Sequence, residues 1–89
     1  GLSFKPDIDD TRESPSLEFA RILQARGYEV YACEPNIQGD VEGFHNYTLE
    51  EAMADCDYAV ITLAHTYFKE HRDLIAAKPY YDCVGLMRK

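Results

Sequence analysis

The stretch Tyr58-Ala59-Val60-Ile61-Thr62-Leu63 is a nearly continuous apolar run. A run of this length and composition is typical of a central parallel strand that is covered on both faces. Before it, Thr48 and Glu51 have the spacing of a capping box, which predicts a short helix that ends near Asp55. The run and the helix together indicate a sheet whose strands alternate with helices.

Helices and strands alternate along the rest of the chain as well. Residues 15–26 are predicted to form a helix, since apolar residues recur there at the 3/4 spacing, and Gly27 suits the left-handed position that ends it. Residues 28–33 and 79–84 have the composition of strands, and residues 66 to about 77 predict a further helix. This order predicts an α/β fold, a parallel sheet with helices on both faces. The residues expected to be buried on the three helices are Leu17, Phe19, Ala20, Ile22, Leu23, Leu49, Ala52, Met53, Phe68, Leu74 and Ile75.

Length and charge restrict the classes of function. A chain of 89 residues is one small domain, and its formal net charge of −7 argues against nucleic acid or an anionic membrane as a partner. No apolar run approaches the roughly 20 residues of a membrane span, and no signal peptide is expected. Cys33 and Cys83 fall in strand-like runs, so both are expected to be small buried residues in a reducing cytosol. The spacing of the three cysteines fits no metal site.

Residues 4–15, Phe-Lys-Pro-Asp-Ile-Asp-Asp-Thr-Arg-Glu-Ser-Pro, form a polar loop with two prolines and two cations. The loop runs into a helix start, where Ser14 can serve as N-cap and Pro15 occupies the first helical position. Lys5 and Arg12 are thereby delivered to the positive end of a helix dipole, beside free backbone N–H groups. This combination predicts a phosphate-binding site.

Three other residues lie where ligands are often bound in α/β proteins. Glu34 follows the strand at 28–33, where an acid can bind a ribose, but the glycine fingerprint GxGxxG is missing and a turn-capping role is favoured. His65 follows the strand at 58–63, and both a site role and a role in capping the next helix remain open. His45 stands alone in the loop at 36–47 and is expected to be solvated or bonded to backbone.

Residues 4–15 closely resemble the start of the C-terminal, UDP-binding domain of the UDP-glucose/GDP-mannose dehydrogenase family. Residues 31–36 (Tyr-Ala-Cys-Glu-Pro-Asn) resemble the end of a strand in that family. Residues 57–60 and 65–69 resemble its Ala-Asp-x-x-Val and His-x-x-Phe segments, and residues 81–82 resemble its closing strand. The resemblance covers essentially all 89 residues and is nearest to the branch that acts on UDP-N-acetylhexosamines such as UDP-N-acetylmannosamine.

The resemblance implies that residues 1–89 are the UDP-binding domain of a larger NAD-dependent enzyme. That family oxidises the sugar C6 alcohol to a carboxylate in two hydride steps through a cysteine thiohemiacetal. Its catalytic cysteine and NAD domain would lie outside this chain, so no catalytic residue is expected here and the isolated piece would be inactive. The fold would be Rossmann-like, with the first strand missing or reduced to residues 1–3.

The resemblance also assigns residue roles and partners. Phe4 and Lys5 match the pair that contacts the nucleotide-sugar, and Arg12 matches the arginine that reaches the bound NAD. Asp10 and Glu13 are expected to orient the two cations. The implied partners are a UDP-sugar, the rest of the parent enzyme and further copies of it in a cytoplasmic homo-oligomer, with neither nucleic acid nor membrane.

Two other interpretations of the sequence remain open. In a flavodoxin-like phosphoacceptor module, Asp7, Asp9 and Asp10 would hold Mg²⁺, although Asp7 and Asp9 can equally be solvated. That module also needs an acceptor aspartate at the end of the apolar strand, where Leu63-Ala64-His65 stands instead. A purely structural or dimerising domain would account for the core but leaves the Lys/Arg loop unexplained.

Overall fold

A computed structural model describes residues 1–88, so that the predicted basic tail at 85–89 is described except for Lys89. The chain folds as alternating helices and short strands, which confirms the α/β class. The elements are α1 (Pro15–Ala25), α2 (Leu49–Asp55), β1 (Ala59–Ile61), α3 (Thr66–Lys69), α4 (Arg72–Ala76) and β2 (Tyr80–Asp82). None of the helices in residues 1–88 has the length and apolar character needed to cross a membrane.

Strands β1 and β2 are parallel, as predicted, and they lie side by side in the sheet. Their register pairs Ala59 with Tyr80 and Ile61 with Asp82. Beyond β2, the Asp82 carboxylate accepts hydrogen bonds from the backbone N–H groups of Val84, Leu86 and Met87. These bonds turn the chain away from the sheet, so β2 ends earlier than the predicted strand at 79–84.

The prediction of a regular strand at residues 28–33 is wrong. The segment makes one isolated parallel bridge, between Ala32 and Asn46, and the Ala32 carbonyl accepts a hydrogen bond of 2.8 Å from Tyr47 N–H. A cleft of about 410 Å³ separates residues 28–33 from β1, and Val30 and Val60 both line it. Within residues 1–88 no strand lies between these two edges. This arrangement agrees with a Rossmann-like sheet whose first strand is missing or truncated.

The single helix predicted at 66–77 is in fact two short helices, α3 and α4. The chain leaves the helical conformation at His71, whose φ is −127° and ψ is 33°. The His71 ring stacks on Tyr67, with ring centroids 4.2 Å apart, and its Nδ1 lies 2.7 Å from the Tyr67 carbonyl oxygen. That side chain takes the carbonyl that a continuous helix would bond to the backbone four residues on.

The core consists of two apolar clusters. One contains Leu2, Leu17, Ala20, Ala32, Val41 and Phe44, and the other contains Leu49, Met53, Ile61, Phe68, Ile75 and Leu86. The predicted burial is wrong for Phe19 and Ile22, which are 38% and 45% exposed. It is also wrong for Cys83, which lies just after the end of β2 and is exposed. Cys33 is half-buried, and its burial raises the pKa of the thiol to about 11.

Candidate functional site

The loop at residues 4–13 is closed at its base by hydrogen bonds. Phe4 N–H donates to the Asp10 carbonyl over 2.7 Å. Ser14 ties the loop to α1, because its hydroxyl donates to the Ser3 carbonyl and also accepts from Leu17 N–H, both over 3.1 Å. The predicted N-cap at Ser14, with Pro15 first in the helix, is thereby confirmed. The loop is a defined structure that ends at a buried helix cap.

Arg12 is held by Asp10 and extends into solvent. The Arg12 guanidinium donates to both Asp10 carboxylate oxygens, with the shortest distance 2.8 Å, and Arg12 N–H donates to the same carboxylate over 2.9 Å. These bonds, the side-chain ones foremost, lower the pKa of Asp10 to about 2. The Arg12 side chain nevertheless remains 87% exposed. Asp10 therefore orients Arg12, as predicted, and leaves its outer N–H groups accessible.

Phe4 and Lys5 project from the same loop. Phe4 is 42% exposed, Lys5 is also exposed, and the Lys5 Nζ lies 5.8 Å from the centroid of the Phe4 ring. No carboxylate of residues 1–88 forms an ion pair with Lys5. The expectation that an acid orients Lys5 is therefore not met within the described chain. An exposed cation beside an aromatic face is able to bind an anion attached to a flat ring.

Asp7 is not simply solvated, contrary to one expectation. Its carboxylate accepts hydrogen bonds from Thr66 N–H over 2.6 Å and from the Thr66 hydroxyl over 2.7 Å. These bonds cap α3 and hold the pKa of Asp7 below its usual range. Asp7 adopts a left-handed φ of 63°, which aspartate tolerates better than most residues. Asp7 thus ties the loop to a helix almost sixty residues further along the chain.

Beneath the loop lies a buried polar cluster of Ser3, Glu34 and His65. Each is no more than 1% exposed. Glu34 Oε1 accepts hydrogen bonds from the N–H groups of Leu2 and Ser3 and lies 2.9 Å from His65 Nε2. Glu34 Oε2 accepts a bond from Asn36 N–H over 2.9 Å. Burial raises the pKa of Glu34, but the bonds from His65, Asn36 and Leu2 outweigh it and hold that pKa at about 2.

The bonding partners assign the tautomer of His65. Its Nδ1 lies 2.8 Å from Asp7 N–H, and a backbone amide can only donate, so Nδ1 accepts. The ring proton then sits on Nε2 and points at the Glu34 carboxylate. His65 occupies the N-cap position of α3, but its side chain makes no cap bond, and the Asp7 carboxylate supplies the cap bonds instead. The turn-capping role of Glu34 is confirmed by its bond to Asn36, although the buried cluster was not predicted.

The N-terminus of α1 offers fewer donors than the sequence suggested. Pro15 has no N–H, Leu17 N–H is bonded to Ser14, and Glu18 N–H is bonded to the Ser14 carbonyl. Ser16 N–H is the one first-turn donor without a partner in residues 1–88, and Ser16 is buried. The exposed cations of the loop, rather than the helix end, are therefore the groups available to an anion.

The three loop aspartates do not form a cation site. The Asp7 carboxylate is engaged by Thr66, and the Asp10 carboxylate is engaged by Arg12. Residues 1–88 contain no group of three or more His, Cys, Asp or Glu side chains arranged to hold a metal ion. The phosphoacceptor alternative is therefore not supported.

The chain is thus a small α/β domain whose cationic loop is hydrogen-bonded to a buried acid–histidine pair. The model of the UDP-glucose/GDP-mannose dehydrogenase family, UDP binding domain, matches residues 1–89, and the chain belongs to that family.

The chain is similar in sequence to several curated dehydrogenases, three of which illustrate the identity and coverage. The chain is 40% identical over 74 residues to the UDP-N-acetyl-D-mannosamine dehydrogenase of Escherichia coli K12, covering 78% of this chain and 18% of that protein. It is 36% identical to an NDP-N-acetyl-D-galactosaminuronic acid dehydrogenase of Ralstonia solanacearum, covering 97% of this chain and 22% of that protein. It is 30% identical to the GDP-mannose 6-dehydrogenase of Azotobacter vinelandii, covering 98% of this chain and 24% of that protein. No solved structure gives a significant match.

Proposed function

We propose that residues 1–89 form the nucleotide-sugar-binding domain of an NAD-dependent UDP-sugar 6-dehydrogenase, which oxidises the sugar C6 alcohol to a uronic acid. The observation that carries this proposal is the exposed Phe4–Lys5 pair on a loop that is hydrogen-bonded at both ends. The relatives named as dehydrogenases of N-acetylated nucleotide-sugars favour UDP-N-acetylhexosamines as the substrate class. The chain spans less than a quarter of each relative, so the rest of the enzyme supplies the reaction.

In this proposal the loop contacts two ligands, the nucleotide-sugar and NAD. Lys5 contacts a phosphate or sugar oxygen, and Phe4 packs against the nucleotide-sugar. Arg12, fixed by Asp10 and open to solvent, reaches the NAD bound by the rest of the enzyme, where its planar fork suits a pyrophosphate. NAD supplies the hydride acceptor. The arrangement fits a cofactor held elsewhere, because the chain has no GxGxxG fingerprint of its own.

The domain on its own carries no reaction chemistry in this proposal. The Cys33 thiol, with its pKa raised to about 11, is a poor nucleophile. The free cysteines suit a cytoplasmic enzyme. We further propose that the parent enzyme is a homo-oligomer that binds neither nucleic acid nor membranes, in keeping with the net charge of −7.

The roles of Lys5 and Arg12 can be separated in the full-length dehydrogenase that contains this domain. In calorimetric titrations with UDP and UDP-sugars, Lys5→Ala should bind at least about tenfold more weakly than the wild type, because a charge-assisted contact is lost. Arg12→Ala should lose more NAD-dependent turnover than UDP affinity. Arg26→Ala is the matched control, since Arg26 is an exposed cation at the opposite end of α1. Unchanged UDP-sugar affinity in Lys5→Ala, or the reverse order for Arg12→Ala, would contradict the assigned roles.

A further inference from the structure

We infer that His65 is a positioning residue for the proposed nucleotide-sugar loop and that Glu34 holds His65 in the orientation this requires. This inference rests on the proposed function of residues 4–13. His65 is buried and lies under the loop, where its Nδ1 accepts the Asp7 N–H over 2.8 Å. Asp7 is two residues from Lys5, so the bond fixes the backbone next to the cation.

Glu34 is built to hold the ring of His65. Its carboxylate receives three backbone N–H donors, from Leu2, Ser3 and Asn36, in addition to the His65 Nε2 proton. Because three backbone donors fix the orientation of the Glu34 carboxylate, the carboxylate sets the orientation of the His65 ring. The ring is thereby set with Nδ1 aimed at Asp7, and Asn36 Nδ2 lies 3.2 Å from the same nitrogen.

Without the bond between His65 and Asp7, which anchors the loop, ordering the loop on ligand binding would cost conformational entropy. Phe4, Lys5 and Arg12 are all exposed, and none of them packs in either core cluster. A flexible loop would lose conformational entropy when a ligand binds, whereas a loop held beforehand avoids that loss. The left-handed φ of 63° at Asp7 also needs support from its surroundings, which His65 and Thr66 supply. The anchor therefore acts on binding more than on the stability of the core.

Two substitutions separate the two bonds of His65. In His65→Gln the side-chain amide reaches the place of Nε2, which keeps a donor to Glu34 but leaves Asp7 N–H without its acceptor. In His65→Asn the shorter amide reaches the place of Nδ1, which keeps an acceptor for Asp7 but leaves Glu34 without its side-chain donor. The first variant should loosen the loop over an intact buried cluster, and the second should weaken the cluster under an anchored loop.

The experiment compares these variants in the full-length dehydrogenase, with UDP as the probe. His65→Gln should bind UDP about tenfold more weakly, the effect expected from one lost hydrogen bond. Its KM for the UDP-sugar should rise with kcat nearly unchanged, its Asp7 amide should exchange faster, and its melting temperature should stay near that of the wild type. His65→Asn should melt lower yet bind UDP more tightly than His65→Gln.

Three results would overturn the inference. In the first, His65→Gln binds UDP as the wild type does, which refutes positioning while leaving the UDP site intact. In the second, affinity simply follows melting temperature across both variants, which reduces His65 to a structural residue. In the third, the wild type itself does not bind UDP, which removes the proposed function and the inference with it. If His65→Asn does not fold, UDP affinity and Asp7 exchange in His65→Gln decide the question alone.

Discussion

Asp10 connects the two halves of the loop. Its carbonyl accepts the Phe4 N–H, and its carboxylate holds the Arg12 guanidinium in a two-oxygen contact. The position proposed to face the nucleotide-sugar and the position proposed to face NAD are therefore fixed by one residue. Through Asp10, a shift of the loop at one proposed ligand position would also move the other.

Glu34 gives the protein a pH-dependent stability. Its pKa in the folded protein is about 2, lower than the ordinary value of 4.5, so its contribution is complete above about pH 4.5 and is lost as the pH falls towards 2. We expect a loss on the order of 1–3 kcal/mol across this window, because the Glu34 side chain is buried and solvent screens its bonds little. Urea unfolding of the chain at pH 2–6 measures it.

The matched variants for this prediction are Glu34→Gln and Asp10→Asn. Glu34→Gln should be less stable at pH 6 and should flatten the profile between pH 5 and 2. Asp10 also has a pKa of about 2, but its carboxylate is open to solvent, so Asp10→Asn should change the profile less. A profile that is equally steep in wild type and Glu34→Gln would show that Glu34 does not carry the effect.

At the scale of elements, sequence reasoning succeeded where local rules decide. Ser14 and Pro15 start α1, Gly27 adopts a φ of 91° after it, and Thr48 with Glu51 forms the predicted capping box. It failed at residues 28–33 and at the α3–α4 break. Residues 28–33 have no neighbouring strand among residues 1–88, and the break depends on the His71 side chain. In the site, the exposed loop was readable from its residues, whereas the bonds joining residues 7, 34 and 65 arise only from tertiary structure.

One signal could have revealed the buried cluster. Glu34 and His65 each follow an apolar run assigned as a parallel strand. The carboxyl ends of parallel strands meet at one edge of a sheet, so an acid and a histidine at two such ends are expected to lie close together. Asp7 carried no comparable signal, because its contact with Thr66 joins a loop to a distant helix.

The cap of α1 yields a prediction at this scale. Ser14→Ala removes both the bond to Leu17 N–H and the bond to the Ser3 carbonyl, so it should lower the free energy of unfolding by about 1–2 kcal/mol. Ser16→Ala serves as the control, because Ser16 lies two residues away, is similarly buried and makes no side-chain hydrogen bond within residues 1–88. Chemical denaturation measures both. Equal losses in the two variants would contradict the capping account.

At the scale of the whole molecule, a cleft lies between residues 28–33 and β1, and the bonded pair Glu34–His65 joins the segments that follow its two walls. Apolar side chains from both walls line the cleft, and the two core clusters lie in different parts of the fold. Strand edges that lack a partner are open to pairing with another chain. The described residues form a small fold with two apolar clusters in place of one large core.

This architecture predicts the behaviour of the 89-residue chain in isolation. We expect it to be weakly stable or to associate through its open strand edges, because the cleft leaves apolar surface and backbone groups uncovered. Size-exclusion chromatography with light scattering and a thermal melt measure both properties. A well-folded monomer with a high melting temperature would show that the cleft causes neither low stability nor association.

The most direct test of the central claim is to find where UDP binds. Amide hydrogen exchange of the full-length dehydrogenase, measured with and without saturating UDP, reports on each segment of this domain separately. The account predicts that UDP slows exchange at residues 4–13 and leaves the C-terminal half of α1 unchanged. Protection confined to other parts of the enzyme, with residues 4–13 unaffected, would contradict it.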